Sequence, residues 1–485
     1  MHRSLLTLSI AGLLLSAAHP SAAADAAKPA VPAPAAKPAA KPAPKPPGLG
    51  LKDGDRVIFI GDSITHQCLY TQYVEDFYYT RYPNLHLHFR NAGVSGDRAI
   101  DALDRFDDDI ASFKPTVATV LLGMNDASYK DFDPAVFATY AKDMTTLLDK
   151  LDALKVRVFL ASPTMFDHHA AELRVAANPN GKARNPENYN AVLAYYGKWV
   201  QEIAGKRGYG FVDMYGPLNN LTLEERQKDK DFTFIPDAIH PQAAGQFIMG
   251  YSVIDAFGEP NAVWGITASA SPEGNGWKIS TTPGNTVTEI GGELGKSLTF
   301  TLAPKCLPWG VAPDAQLGAT LMHAGHHKGN EALYINGLKP GRYDLVGNGK
   351  TIGTYDGVAL SKRVEIEENP ESPTFQQAQQ VVALNKQRND EAVRPMRDLY
   401  GKRKGELRKA KAAGDMKPFE AWWAEQKPKE AELMKKADEI EAQIYKTNHP
   451  AAVKFEIKAA PPLPAKAKAP AKPKAEAKAA QKKAA

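Results

Sequence analysis

The sequence has little cysteine and few long apolar stretches. Only Cys68 and Cys306 occur among its 485 residues, which excludes a disulfide-dense scaffold and a zinc site made of four thiolates. The two thiols lie far apart in sequence, so whether they pair is left open. After the N-terminal region no apolar run reaches about 18 residues, the length that a membrane-spanning helix needs. We therefore expect a mature protein that does not span a membrane.

The excess of positive charge, +5 overall, is confined to the two ends of the chain. Residues 25–47 form a linker rich in Pro, Ala and Lys, and residues 460–485 form a basic tail of the same composition. The residues between them are net acidic, which argues against a nucleic-acid-binding fold. Proline and mutually repelling lysines favour extended segments. These segments either contact anionic envelope polymers or are solvated spacers without a partner.

Residues 1–24 have the features of a secretory signal peptide. His2 and Arg3 precede a largely apolar segment at 5–18, and small residues at 21–24 offer a cleavage site. A membrane anchor is less favoured, because the apolar segment is short and rich in Ala and Ser. We expect an exported protein that is periplasmic or extracellular.

Residues 48–258 alternate between strand and helix patterns. The predicted strands are 56–60, 86–90, 116–122, 156–161 and 211–213. The predicted helices are 66–80, 98–112, 134–153, 186–207 and a last one from beyond Pro241 to about Phe257. Repeated β–α units predict a parallel sheet of five strands between layers of helices. In such sheets ligands bind at the carboxyl ends of the strands.

Polar motifs stand at four of these strand ends or helix starts. The motifs place Ser63 after the first strand, Gly93 after the second, Asn125 after the third, and Asp237 with His240 before the last helix. Each motif alone is a common turn or helix cap. Their order along the expected binding edge of one sheet favours a shared site.

In this combination, residues 52–257 resemble the SGNH hydrolases, also called GDSL-type esterases and lipases. The signature residues of that family match Ser63, Gly93, Asn125 and His240, and its triad acid matches Asp237. The first motif ends in Ile64 rather than in leucine. The resemblance implies a flavodoxin-like three-layer α/β/α fold and an ester-hydrolysing enzyme that needs no metal or organic cofactor.

The resemblance also implies a role for each residue. His240 is the base that activates the Ser63 hydroxyl, and Asp237 fixes the tautomer of His240. The oxyanion hole consists of the backbone N–H groups of Ser63 and Gly93 and the side-chain amide of Asn125. The neighbouring residues Asp62 and Asp126 are expected to brace their loops rather than to take part in the chemistry.

Two histidine groups lie outside this motif set. His168 and His169 follow the fourth strand, and a loop or surface pair is favoured over a substrate contact. His323, His326 and His327 form an H-x-x-H-H cluster. A metal site there is disfavoured, because the sequence offers no obvious carboxylate or thiolate partner.

Beyond Gly258 the β–α repeat ends. Residues 259–373 read as a β-rich region with short strands separated by Gly and Pro turns. Residues 374–459 read as a charged helical hairpin or a long helical insertion, broken near Gly414, with a final strand at 453–457. Exported bacterial members of the SGNH family carry a similar extension with a Q-A-x-x-V helix, here at 377–381.

Aromatic residues in the hairpin suggest a sugar-binding platform, formed by Phe419, Trp422 and Trp423. Adjacent helical residues point in different directions, so packing of one tryptophan into the core is the favoured interpretation.

Together these features predict an exported serine esterase that works through an acyl-enzyme, with an acetylated carbohydrate as the favoured substrate. Lipase, arylesterase and thioesterase activities remain open. A non-catalytic glycan- or wall-binding protein is disfavoured, because Ser63, Asp237 and His240 are all retained. A structural docking role would need a well-defined apolar stripe on the helical region, and the sequence shows none.

Overall fold

The computed structural model describes residues 50–178, 187–259, 262–274 and 276–461. The predicted signal peptide and linker, and the basic tail beyond residue 461, lie outside the described residues. The predicted domain boundaries stay predictions. Within the described part of the chain, no helix is both long and apolar enough to cross a membrane.

A parallel five-stranded sheet forms the centre of the first half. Its strands are β1 (Arg56–Gly61), β2 (His88–Gly93), β3 (Val117–Leu121), β4 (Arg157–Ala161) and β5 (Gly210–Val212), in the order β2-β1-β3-β4-β5. Every neighbouring pair is parallel. Because helices cover both faces, the strands are almost continuously apolar and buried. The predicted α/β/α fold is confirmed.

Eight helices of the described residues surround this sheet. They are α1 (Ser63–His66), α2 (Leu69–Arg81), α3 (Ala99–Asp104), α4 (Pro134–Ala153), α5 (His168–Ala177), α6 (Tyr189–Arg207), α7 (Tyr215–Glu225) and α8 (Ala243–Ala256). The helix predicted at 66–80 is divided, because Cys68 adopts a left-handed conformation with φ 60°. The helix predicted at 98–112 continues beyond α3 as a π-helical turn and a 3-10 turn. Helices α5 and α7 were not predicted.

Two further sheets form the β-rich region. Their strands are β6 (Ala262–Ala270), β7 (Trp277–Thr281), β8 (Thr286–Gly291), β9 (Leu298–Ala303), β10 (Asn330–Ile335), β11 (Arg342–Gly347), β12 (Lys350–Asp356), β13 (Val364–Glu365) and β14 (Val453–Ala459). The sheet orders are β13-β10-β6-β7 and β12-β11-β14-β9-β8. Apolar faces of the two sheets share one core, where the rings of Trp264 and Phe455 lie 6.1 Å apart.

The remaining helices are α9 (Gln316–Leu321), α10 (Gly357–Lys362), α11 (Pro373–Arg388), α12 (Arg394–Ala413) and α13 (Lys417–Thr447). Helices α12 and α13 form the predicted hairpin, and Gly414 ends α12 with φ +70°. Helix α11 packs on α2, and α12 lies beside β2. The extension therefore covers the edge of the parallel sheet.

The extension also supplies part of the first hydrophobic core. Trp309 stacks on Phe247, with ring centroids 4.6 Å apart, and meets Phe77 edge-on at 5.3 Å. Its indole N–H donates to the carbonyl oxygen of Tyr73 at 3.2 Å. The extension and the α/β layers thus share one continuous core.

Both cysteines and one of the two adjacent tryptophans of the hairpin are buried in the structure. Cys68 and Cys306 are both buried and both free. Trp423 is 7% exposed and packs edge-on against Tyr400 at 5.3 Å, which confirms the favoured packing interpretation. Trp422 is partly buried against the same cluster.

Candidate active site

Ser63 lies where β1 gives way to α1. The strand ends β1, β2 and β3 are in register, since Gly61 pairs with both Gly93 and Leu121. Asp62 caps α1, its carboxylate accepting the N–H of Ile64 at 2.9 Å. This cap fixes the turn after β1 and places Ser63 at the first position of the helix.

A hydrogen-bonded chain joins Ser63, His240 and Asp237. His240 Nε2 lies 2.8 Å from Ser63 Oγ, and His240 Nδ1 lies 2.6 Å from Asp237 Oδ2. Because a carboxylate only accepts, the Nδ1 atom carries the hydrogen and Nε2 is left to accept the serine proton. This arrangement matches the nucleophile, base and orienting acid of acyl-transfer enzymes.

The loop before α8 holds Asp237 in place. Its second carboxylate oxygen, Oδ1, accepts the backbone N–H groups of Ile239 at 2.9 Å and His240 at 2.7 Å. Ala238, which follows Asp237 directly, has φ +73°, so the loop is tightly turned. Arg174 donates to the Asp237 carbonyl oxygen at 2.8 Å. The short Asp-x-x-His spacing therefore places both side chains on one turn.

These contacts change the protonation behaviour of the pair. Burial would raise the pKa of Asp237, but the hydrogen bonds from the His240 side chain and from two backbone N–H groups outweigh it and lower the pKa to about 2. The hydrogen bond to Asp237 raises the pKa of His240, against the opposing effect of burial. Asp237 is therefore ionised at neutral pH, and it makes His240 a better base.

Asn125 follows β3 at the same edge of the sheet. Its Nδ2 donates to the Asp97 carbonyl oxygen at 3.0 Å and lies 3.3 Å from Asp62 Oδ2. The Tyr129 hydroxyl donates to Asn125 Oδ1 at 3.0 Å. These contacts determine the positions of the nitrogen and the oxygen in the Asn125 side-chain amide.

Gly93 does not have the role expected from the sequence. Its N–H donates to Asn91 Oδ1 at 2.9 Å, inside the protein. A Cβ atom at this position would lie 2.4 Å from His66 N, so the glycine permits close packing of α1 on the end of β2. The expectation that Gly93 lends its N–H to an oxyanion is therefore wrong. Gly96, three residues later, is exposed and has φ +70°.

The two aspartates expected to brace loops do so. The Asp62 carboxylate caps α1, and Asp126 Oδ1 accepts the N–H of Ala99 at 2.8 Å. Burial raises the pKa of each to about 7. Both face backbone groups of neighbouring loops and hold the strand-end turns together.

An open cleft of about 260 Å³ lies over Ser63. It is lined by Ser63, His66, Gln67, Ser95, His240, Arg394 and Asp398. The last two residues belong to α12 of the extension, which the sequence analysis did not connect with the site. Hydropathy patterns report which face of a helix is buried, and they carry no signal for which distant cleft that helix borders.

His66 connects α12 to the turn before Gly96. Its Nδ1 accepts the Ser95 N–H at 3.2 Å and lies 3.0 Å from the Ser95 hydroxyl. Its Nε2 lies 3.2 Å from Asp398 Oδ1. Burial lowers the pKa of His66, with the Asp398 charge opposing. A neutral His66 can accept from Ser95 and donate to Asp398 at the same time.

The other histidines lie elsewhere. His168 and His169 are the first residues of α5 and so do not lie in a loop, and both are partly exposed. His168 Nε2 lies 3.3 Å and His169 Nδ1 lies 3.8 Å from the carboxylate of Glu172. His326 Nδ1 lies 2.8 Å from Glu365 Oε1. In the described ranges, no group of three or more His, Cys, Asp or Glu side chains is placed to hold a metal ion.

Comparisons with known proteins agree with this geometry. Residues 59–247 match the GDSL-like Lipase/Acylhydrolase family. The chain is 25% identical over 227 residues to an acetylxylan esterase of Geobacillus stearothermophilus, a match that covers 42% of this chain and 94% of that protein. The solved structure of a gut microbial diltiazem-metabolizing enzyme superposes with a TM-score of 0.72 at 24% identity, covering 85% of this chain and 99% of that one. This second likeness concerns the fold alone, and it reaches well into the extension.

Proposed function

Through residues 59–247 the chain belongs to the GDSL-like lipase/acylhydrolase family of ester-hydrolysing serine hydrolases, and from this premise we propose that Ser63, His240 and Asp237 are its catalytic triad. The observation that carries the proposal is the continuous chain of contacts of 2.8 and 2.6 Å from Ser63 through His240 to Asp237. Chains of this kind activate a serine hydroxyl, which is a weak nucleophile by itself.

The mechanism follows from the positions of the atoms. Ser63 Oγ attacks the ester carbonyl carbon while His240 Nε2 takes the hydroxyl proton, and His240 then returns that proton to the leaving alcohol. A water molecule, deprotonated by His240, then attacks the acyl-enzyme. The bond between Ser63 Oγ and the acyl carbon breaks, His240 returns the proton to Ser63 Oγ, and the acid is released. Asp237 stays ionised throughout and stabilises the imidazolium.

Negative charge develops on the carbonyl oxygen of the ester when Ser63 attacks it. Hydrogen-bond donors at the strand ends are needed to stabilise this charge. We assign these to the N–H groups of Ser63 and Gly96 and to the Asn125 amide, with Gly96 in place of Gly93. Gly96 is exposed beside Ser95, a cleft residue, whereas the N–H of Gly93 is already bonded inside the protein. Asn125 Nδ2 donates to the Asp97 carbonyl oxygen at 3.0 Å and to Asp62 Oδ2 at 3.3 Å, so the hydrogen of the longer contact, to Asp62, is the one that turns to the substrate.

The substrate that we propose is an acetyl ester of a carbohydrate. The similarity to an acetylxylan esterase supports this choice, and so does the polar lining of the cleft. Export to the periplasm or the exterior belongs to the same proposal and is supported by the signal-like residues 1–24. Fractionation of cells and N-terminal sequencing of the mature protein test the export.

The nucleophile is tested by hydrolysis of p-nitrophenyl acetate. We expect Ser63→Ala to lower turnover by roughly 10⁴- to 10⁶-fold, because the activated hydroxyl is lost while binding remains. Ser112→Ala, which changes an exposed serine of the same domain, is the matched control and should behave as the wild type. Equal activity of the Ser63 variant would place the nucleophile elsewhere. Acetate release from acetylated xylo-oligosaccharides, compared with hydrolysis of long-chain esters, tests the substrate class.

A further inference from the structure

We propose that Arg394 and Asp398, on α12 of the extension, bind hydroxyl groups of a neutral sugar ring next to the scissile ester. The inference rests on the proposed esterase function of the same site, and it names two residues that would determine which ester the enzyme prefers. Both side chains line the cleft that contains Ser63 and His240. Residues four positions apart in a helix lie on the same face, so the two side chains face the cleft together.

Each of these side chains has hydrogen-bonding capacity left for a ligand. The guanidinium of Arg394 lies 3.8 Å from Asp390, beyond hydrogen-bond distance, and Asp390 is itself paired with Lys386. Asp398 is 61% exposed, and its contact with His66, at 3.2 Å, is made by one carboxylate oxygen, Oδ1. A planar set of N–H donors and an accepting carboxylate therefore line the same cleft as the nucleophile.

A donor beside an acceptor suits adjacent hydroxyl groups, since each hydroxyl both donates and accepts. Simple alkyl and aryl esters carry no such groups. A uronic acid would bring a carboxylate near Asp398, and the two like charges would repel each other. The pair therefore fits a neutral, partly acetylated sugar better than an acidic one.

Helix α12 is held firmly against the α/β layers. Arg397, one residue before Asp398, is fully buried and donates to Asp109 at 2.7 Å. Two turns further on, Lys404 donates to the buried Asp97 at 2.8 Å. Because these contacts hold the backbone of α12 in place, Arg394 and Asp398 start from fixed positions, and binding a substrate orders only their side chains.

The test compares two substrates in the full chain. The ratio of kcat/KM for an acetylated xylo-oligosaccharide to that for p-nitrophenyl acetate should fall about 10- to 100-fold in Arg394→Ala, as expected for loss of a charged hydrogen-bond donor. Arg394→Lys, which keeps the charge but loses the planar donor set, should give an intermediate ratio. Lys402→Ala, an exposed residue of the same helix outside the cleft, should leave the ratio unchanged.

An unchanged ratio in a folded Arg394→Ala protein, with folding checked by circular dichroism, would overturn the inference. A wild-type preference for acetylated uronic-acid oligosaccharides that disappears in Arg394→Ala would also overturn it, by showing that Arg394 binds an anion. Failure of the esterase function itself is a different result, because it would appear as wild-type p-nitrophenyl acetate activity in Ser63→Ala.

Discussion

Asp237 sets the pH range in which His240 can act as a base. The hydrogen bond from His240 Nδ1 favours the charged imidazolium and raises the pKa of His240 above its ordinary value of 6.5. A general base must be neutral before it accepts a proton, so turnover rises as the pH rises through that pKa. The acidic limb of the activity profile is therefore expected above pH 6.5.

Asp237→Asn tests whether Asp237 raises the pKa of His240. The substitution removes the negative charge beside His240, so the pKa of His240 falls and the acidic limb moves to lower pH. Turnover on p-nitrophenyl acetate should drop about 10⁴-fold, because an amide favours the wrong tautomer. Asp231→Asn, which alters a partly exposed carboxylate beside His169, is the control and should keep the wild-type profile. An unmoved limb in Asp237→Asn would contradict the assignment of His240 as the base.

The side chains of the site could be predicted from the sequence more reliably than its backbone donors. Ser63, Asp237 and His240 lie in short motifs of distinctive composition, and the fold brings them together as predicted. Gly93 ends β2 and Gly96 lies in the turn that follows, three positions later, and both are compatible with a tight backbone. The hydrogen bond from Gly93 to Asn91 distinguishes them, and a linear pattern does not contain such a contact.

At the scale of elements, α12 is fixed to the α/β layers by buried charges. Arg397 and Asp109 are both fully buried, and Arg105 also donates to Asp109, at 2.6 Å. Burial would raise the pKa of Asp109, but the attraction of Arg397 and Arg105 lowers it to about 2. Asp109 therefore remains charged inside the protein and needs its cationic partners.

Arg397→Met should destabilise the protein by about 3–5 kcal/mol, since it leaves a buried carboxylate short of a partner. Denaturant unfolding measures the loss. Adding Asp109→Asn to the variant should recover part of it, because the double variant no longer buries a carboxylate that has lost one of its two close arginine partners. Arg408→Met, which breaks a pair between a half-exposed arginine of α12 and Asp101, is the control and should cost at most about 1 kcal/mol. If Arg397→Met and Arg408→Met lowered the free energy of unfolding equally, the buried pair would contribute no more to stability than the exposed one.

Elements with strong local signals were predicted well. Helix α4 has the predicted bounds, Pro134–Ala153, because Asp133 caps it and Pro134 suits the first helical position. The break between α1 and α2 was missed, since Cys68 adopts a left-handed conformation that rarely suits a non-glycine residue. Strand β14 was recognised as a strand, but its place between β11 and β9 depends on partners more than a hundred residues away.

At the scale of the whole molecule, the extension completes both the core and the cleft. The likeness to a solved structure over 85% of the chain shows that this larger fold, rather than the α/β layers alone, is shared. Trp309 covers the rings of Phe77 and Phe247, and Arg388 lies 3.3 Å from Glu75, a carboxylate with no exposed surface. Without the extension, apolar rings would meet water and Glu75 would lose a cationic partner.

We therefore expect residues 25–258 alone to be unfolded or aggregated and inactive. The α/β layers would expose the apolar surface that Trp309 covers and retain the buried carboxylates of Glu75 and Asp109 without Arg388 and Arg397. Size-exclusion chromatography, circular dichroism and p-nitrophenyl acetate hydrolysis measure the outcome. Deletion of residues 462–485 alone is the control and should keep wild-type activity on this small substrate, because the tail is expected either to contact anionic polymers or to be a spacer, and neither role involves the triad. A soluble, active 25–258 fragment would show instead that the extension serves substrate choice without being needed for folding.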